Sequence, residues 1–131
     1  TDKRVKVLVP QSPVSDWETW DSFQLLGKEK QKGNKFIDFD KVWGNMRVNT
    51  TFYDDGLKYN IYKLVEKIKC HTLVFHGDVD DVINVEQSKE LIKHIKNGKL
   101  EIISGADHCY RTNNTLPVAT KLMIDWFKEH L

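Results

Sequence analysis

Residues 73–110 read LVFHGDVDDVINVEQSKELIKHIKNGKLEIISGADHCY. The stretch opens on an apolar run, Leu73-Val74-Phe75, that reads as a buried strand and ends at His76-Gly77. An acidic turn follows, with Asp80 three residues after the glycine. Asn84 and Gln87 are placed to cap a helix whose apolar face is Leu91, Ile92 and Ile95, with Asn97-Gly98 as its stop. Leu100, Ile102 and Ile103 predict a further strand, which runs into Gly105-Ala106-Asp107-His108. A strand ending in an acid, a helix, and a strand ending in a histidine is a βαβ pattern. In a parallel sheet the loops at the carboxyl ends of strands converge on one edge, so Asp80 and His108 are expected to meet there.

Outward from this segment the pattern continues. Val5, Val7, Leu8 and Val9 form a β-branched run that predicts another buried strand, ended by Pro10, Ser12 and Pro13. Ser15-Asp16-Trp17-Glu18 reads as a capping box, followed by Trp17, Trp20 and Phe23 at helical spacing and by Gly27 as a stop. Residues 28–60 are the least regular part: a polar run, KEKQKGNK, precedes Phe36, Phe39, Trp43, Phe52 and Tyr53 without clear periodicity. Ile61, Leu64, Val65 and Ile68 mark one face of a helix. At the other end Pro117 suits a first helical turn, and Ala119, Leu122, Met123 and Trp126 define that helix's buried face. The order strand, insertion, strand, helix, strand, helix predicts an α/β fold with about three parallel strands joined by right-handed crossovers.

At 131 residues the chain is long enough for one domain with its own core. Its 20 basic and 19 acidic residues nearly cancel, which removes the electrostatic case for nucleic acid or an anionic membrane as partner. No apolar run of about 18 residues is present, so no membrane-spanning helix is expected. With two cysteines and no secretory leader, the expected compartment is the cytoplasm.

The 73–110 segment resembles the last part of an α/β-hydrolase, in which the acid of a Ser-His-Asp triad follows one late strand and the base follows the next. The resemblance covers residues 61–131 well and 4–17 as the preceding strand and loop. It implies a partial α/β-hydrolase fold over 1–131, with residues 16–60 as a lid or cap insertion; the competing reading of 16–60 is an irregular connection whose aromatics fill the core. Asp78, Asp80 and Asp81 compete for the acid. The family pattern His-Gly-x-x-Asp selects Asp80, leaves Asp78 and Asp81 as solvated turn residues, and makes His108 the base, with Asp107 capping the turn before it. The chain departs from the family at Asn84, where Pro is frequent, at Cys70-His71, where Val-Pro is frequent, and at Cys109, where a small residue is common.

No Gly-x-Ser-x-Gly occurs in the chain. Ser12, Ser15, Ser22, Ser88 and Ser104 lack the strand–tight-turn–helix setting of a nucleophile. Cys109 adjoins the base, but neighbouring side chains rarely face each other. The function implied by the resemblance is hydrolysis of a carboxylic ester or related acyl substrate, with Asp80 and His108 as the catalytic acid and base. The nucleophile would come from an amino-terminal segment or a second chain, through association at the first strand. The alternative is a non-catalytic binding module derived from a hydrolase. No cofactor is expected. No metal is expected either: Cys70-His71 precedes the second strand and His108-Cys109 follows the third, and five strand residues span about 16 Å, so the pairs are expected at opposite edges of the sheet.

Overall fold

A computed structural model describes residues 2–41 and 44–131. It divides into two compact units, one made of residues 1–15 and 61–131 and the other of residues 16–60.

The first unit is built on a parallel three-stranded sheet of order β1-β4-β5, comprising β1 (Val7–Leu8), β4 (His71–Gly77) and β5 (Gly98–Ile103). The central strand is buried from Thr72 to Gly77, as expected of a parallel strand covered on both faces. The register pairs Val7 with His71 and Gly77 with Ile103, and an isolated bridge from Gln11 to Phe75 extends the first pairing. One face packs Leu73, Phe75, Ile103, Ala106 and Tyr110 against Ala119, Leu122, Met123 and Trp126 of the helix α5 (Leu116–His130). The other packs Val74 against Leu91 and Ile95, with Ile61, Tyr62 and Val65 beside them.

Three boundaries differ from those the residue pattern predicts. Strand β1 is only two residues long and Val5 is 47% exposed, because its branched side chain has no strand partner to pack on. The helix α3 spans only Ile61–Val65. The helix α4 runs Glu86–Leu91, passes into a 3₁₀ turn over Ile92–His94, and ends with Ile95 extended. Asn84 does cap α4, its Oδ1 accepting the Glu86 amide at 2.9 Å, but Gly98 is the first residue of β5 rather than a helix stop.

The second unit overturns the expectation of an irregular 28–60. It contains α1 (Asp21–Gln31), an antiparallel hairpin of β2 (Phe36–Lys41) and β3 (Gly44–Asn49), and α2 (Thr51–Gly56). The aromatic at Trp43 lies outside the described residues. Gly27 is not a stop but the buried centre of α1: a Cβ there would stand 2.6 Å from the Tyr53 ring, and one on Gly56 would stand 2.6 Å from the Phe23 ring. Each helix thus gives up a side chain to admit an aromatic from the other. Phe23 and Tyr53 pack as tilted rings 4.7 Å apart between centroids, and Trp17 lies 5.3 Å from Phe23 and 5.8 Å from Phe52, distances typical of attractive aromatic pairs.

The predicted capping box at Ser15 does not form. Trp20 occupies the cap of α1 with no side-chain bond. Ser15 instead donates its hydroxyl to the Gln87 carbonyl at 2.9 Å and its amide to Gln87 Oε1 at 2.8 Å. A long-range partner has outcompeted the local one.

Candidate active site

Asp80 and His108 are brought together at the carboxyl ends of β4 and β5. Two devices bring their loops to close range. The first is Gly77: a Cβ at this position would sit 2.0 Å from the Ala106 carbonyl oxygen, so only glycine admits the His108 loop against β4. The second is a set of crossing hydrogen bonds. The Val79 amide donates to the Ala106 carbonyl at 3.2 Å, the Asp78 amide to the Ile103 carbonyl at 3.2 Å, and the Gly105 amide to Asp78 Oδ1 at 2.6 Å. Asp78 is therefore a clasp between the two loops and not merely a solvated turn residue. Asp107 caps the turn after it, accepting the Arg111 amide at 2.7 Å.

The far side of the His108 loop is pinned by Tyr110. Its backbone is left-handed, with φ of 58°, a conformation that costs a bulky residue on the order of 1–3 kcal/mol and persists only when the surroundings enforce it. Here the ring is buried against Phe75 at 5.3 Å. Its hydroxyl donates to the Phe75 carbonyl at 3.2 Å and lies 3.0 Å from Ser12 Oγ. Ser12 is itself buried with φ of 38°. Burial raises the Tyr110 hydroxyl above its usual pKa, so it stays protonated and keeps donating.

Within this frame His108 Nδ1 lies 2.9 Å from Asp80 Oδ2. The His108 side chain is 25% exposed and that of Asp80 is wholly buried. Burial by itself would raise the Asp80 carboxyl. Hydrogen bonds from His76, the Ile83 amide, His108 and the Val82 amide outweigh it and hold the group well below the usual carboxylate range. The two amides donate to Oδ1 at 2.9 Å each. Asp80 is thus a buried anion with each oxygen met by two donors, an arrangement that keeps it ionised and stationary.

His76 is a member of this group that the sequence reading passed over. It is fully buried, and its Nε2 lies 3.0 Å from Asp80 Oδ2. The available signal was a polar ring closing an otherwise apolar strand just before Gly77. Asp81 is exposed. Among the serines weighed as nucleophiles, Ser12, Ser15 and Ser88 are buried and already hydrogen-bonded. Burial pushes the Cys109 thiol up, away from the thiolate that nucleophilic attack requires.

Both cysteines are free; Cys70 precedes β4 and Cys109 follows β5. Among the described residues, no group of three or more His, Cys, Asp or Glu side chains is placed to hold a metal ion, and no helix is long and apolar enough to cross a membrane.

A parallel sheet that delivers an acid and a histidine from successive strand ends is the carboxyl-terminal architecture of the α/β-hydrolase superfamily. Within that superfamily the chain belongs to the prolyl oligopeptidase family, which it matches over residues 1–131. No curated protein matches it significantly. Among solved structures, Est1E from Butyrivibrio proteoclasticus is 26% identical with a TM-score of 0.70, covering 95% of this chain and 52% of its own. The Paleococcus ferrophilus monoacylglycerol lipase superposes with a TM-score of 0.74 at 14% identity, covering 98% of this chain and 61% of its own. A putative dipeptidyl aminopeptidase IV from Bacteroides ovatus gives 0.63 at 20% identity over 96% of this chain and 16% of its own. The chain spans about half the length of Est1E, the first of these.

Proposed function

We propose that this chain carries the acid and base of a serine hydrolase that cleaves a carboxylic ester or related acyl substrate. Asp80 orients and His108 acts as general base, then general acid. The observation that carries the reading is the 2.9 Å contact between His108 Nδ1 and a buried, ionised Asp80 in a chain of this family. With Nδ1–H given to Asp80, Nε2 is the nitrogen that takes the proton of an attacking hydroxyl and later returns it to the leaving group. The imidazolium formed in between is stabilised by the Asp80 charge.

The nucleophile and its oxyanion donors come, in this reading, from a segment with the Gly-x-Ser-x-Gly turn that these residues lack, pairing along the free edge of β1. Among the described residues strand β1 has one neighbour, β4, in the sheet, so its other edge is available to that segment or to a second copy. The aromatic content of residues 16–60 fits a cap that selects the acyl group. Ester and peptide cleavage share the same acyl-transfer chemistry, so both substrate types belong in the test.

The test compares turnover of p-nitrophenyl esters and peptide p-nitroanilides by the whole gene product and its His108→Ala variant. Loss of turnover of about 10³-fold or more is expected on removing the base. Residues 1–131 by themselves are expected to show no saturable turnover and no labelling by a fluorophosphonate. Saturable hydrolysis by these residues alone would sink the assignment of an external nucleophile. Full activity of His108→Ala would leave the binding-module alternative standing. Sedimentation of the chain with and without Val7→Lys tests the β1 edge; a monomer in both cases rules out self-pairing there.

A further inference from the structure

We propose that His76 is a positioning residue of this site, donating its Nε2–H to the same Asp80 oxygen that receives His108, with Ser88 setting which ring nitrogen carries that hydrogen. The proposal rests on the assignment of Asp80 as the acid.

The contacts of the ring decide its tautomer. Nε2 faces two acceptors, the Ile83 carbonyl oxygen at 2.9 Å and Asp80 Oδ2 at 3.0 Å, so Nε2 carries a hydrogen. Nδ1 lies 2.6 Å from Ser88 Oγ. In the neutral ring Nδ1 is an acceptor and the serine hydroxyl donates to it. Both His76 and Ser88 are completely buried. A buried imidazole is costly unless its polar atoms are paired; here both ring nitrogens are, and a hydrocarbon side chain in this strand would need none of these partners.

The shared oxygen gives the arrangement a consequence for the base. Asp80 Oδ1 is held by the Val82 and Ile83 amides, and Oδ2 is held by the two imidazoles. Three of the four donors come from residues 76–83 and do not depend on His108. When His108 gains a second proton during turnover, the carboxylate does not have to move to meet it. Every donor on Asp80 also lowers its affinity for a proton, so the His108 Nδ1 proton stays on the imidazole. Without His76, Oδ2 would keep only His108, one of its lone pairs would be buried without a donor, and the carboxylate would gain both rotational freedom and basicity.

Other ionisable groups that sense Asp80 include Cys109 and Tyr110 on the His108 loop, with Arg111, Asp81 and Asp107 as the charges beside them. A titration must therefore be read at the Asp80 carboxyl carbon itself and not from bulk stability. His76→Gln places an amide N–H near where Nε2 stands, whereas His76→Leu keeps bulk and removes the donor.

The experiment is 13C-detected titration of Asp80 in the full chain, with kcat and KM for ester hydrolysis measured on the whole gene product. His76→Leu is expected to raise the Asp80 midpoint by about one pH unit. It is also expected to lower kcat by about 10- to 100-fold with little change in KM, and His76→Gln to restore both. An unchanged Asp80 midpoint in folded His76→Leu overturns the proposal, as does a folded Gln variant that behaves like Leu. If His76→Leu fails to fold, Ser88→Ala reads the same link: a smaller upward shift supports it, and no shift overturns it. Turnover abolished by Asp80→Asn but untouched by His76→Leu overturns this proposal alone. Turnover that survives Asp80→Asn overturns the triad reading beneath it.

Discussion

The corner made by Ser12 and residues 76–110 and the unit made by residues 16–60 are each well packed, but by opposite means. In the corner, buried polar atoms hold one another at fixed distances: an aspartate, two histidines, two serines and a tyrosine, tied to backbone carbonyls and amides. In the insertion, Trp17, Trp20, Phe23, Phe52 and Tyr53 contact one another through rings, and among the described residues the buried indole nitrogens of Trp17 and Trp20 have no hydrogen-bond partner. Directional bonds specify single positions. Ring packing depends on shape and volume and fixes positions less narrowly.

The sharpest way to break this contrast is Asp80→Asn. An asparagine keeps the shape but turns one oxygen into a donor facing His76 or His108, and it favours the wrong histidine tautomer. A fall in kcat of about 10⁴-fold is expected, measured on the gene product with a chromogenic ester. The pH dependence carries a sign. The folded Asp80 carboxyl lies below its ordinary value of 3.8. Its ionised form therefore contributes stability that is fully present above about that pH and is lost as pH falls toward the depressed folded value. Denaturant unfolding below pH 4 is expected to weaken steeply in the wild type and less steeply in Asp80→Asn. Equal slopes would mean that the four donors do not stabilise the anion.

Phe23→Ala probes the other side of the contrast. Phe23 is wholly buried and touches Trp17, Phe52 and Tyr53, and truncating a core phenylalanine costs about 3–5 kcal/mol. The expected readout is faster amide exchange within 16–60, with the Val82 and Ile83 amides as internal reference. Unaltered exchange in 16–60 would show that the ring cluster is not what holds that unit.

Gly77→Ala is expected to cost somewhat less, about 2–3 kcal/mol, because the Ala106 carbonyl must retreat from the new methyl group. Thermal unfolding measures the cost. The loss of the His108–Asp80 contact, seen in the His108 ring resonances, measures its reach. A variant that is destabilised yet keeps that contact would show that the loops can be held by the Asp78 clasp alone.

What could be read from residues alone follows the same divide. Strands β4 and β5, the helix α5 and the Asp80–His108 pair were legible because each rests on a short-range signal: a continuous apolar run, a 3.6-residue period, or a fixed spacing after Gly77. Ser15 misled, because Ser-Asp-Trp-Glu is a valid local cap and only the distant Gln87 overrides it. Gly27 misled in the same way, since a glycine that admits Tyr53 looks in sequence like a glycine that ends a helix. Hairpin β2–β3 was illegible because Phe36 is 52% exposed while Phe39 is buried, so the inward face is not marked by aromatic placement. His76 was passed over because its partners lie 4, 7 and 12 residues on, in a turn and a helix whose placement the strand itself does not announce.

The finest test within the corner concerns Tyr110. Tyr110→Phe keeps the ring against Phe75 and removes only the hydroxyl that reaches the Phe75 carbonyl and Ser12. The Phe75 carbonyl keeps a donor, the Ser12 amide at 2.9 Å, so the deleted bond leaves no stranded backbone acceptor and the expected loss is about 1 kcal/mol. Ser12→Ala removes the other end of the contact. If the two hydroxyls act as one link between the loop after β1 and the loop carrying the base, the double variant costs less than the sum of the singles by about 0.5 kcal/mol or more. Strict additivity in denaturant unfolding would mean that Ser12 adopts its left-handed backbone for reasons unrelated to Tyr110. The same cycle read in kcat separates anchoring from stability. A loop that needs the link to present His108 loses turnover in Tyr110→Phe beyond what the unfolded fraction explains, while a loop held by Asp78 and Asp107 does not.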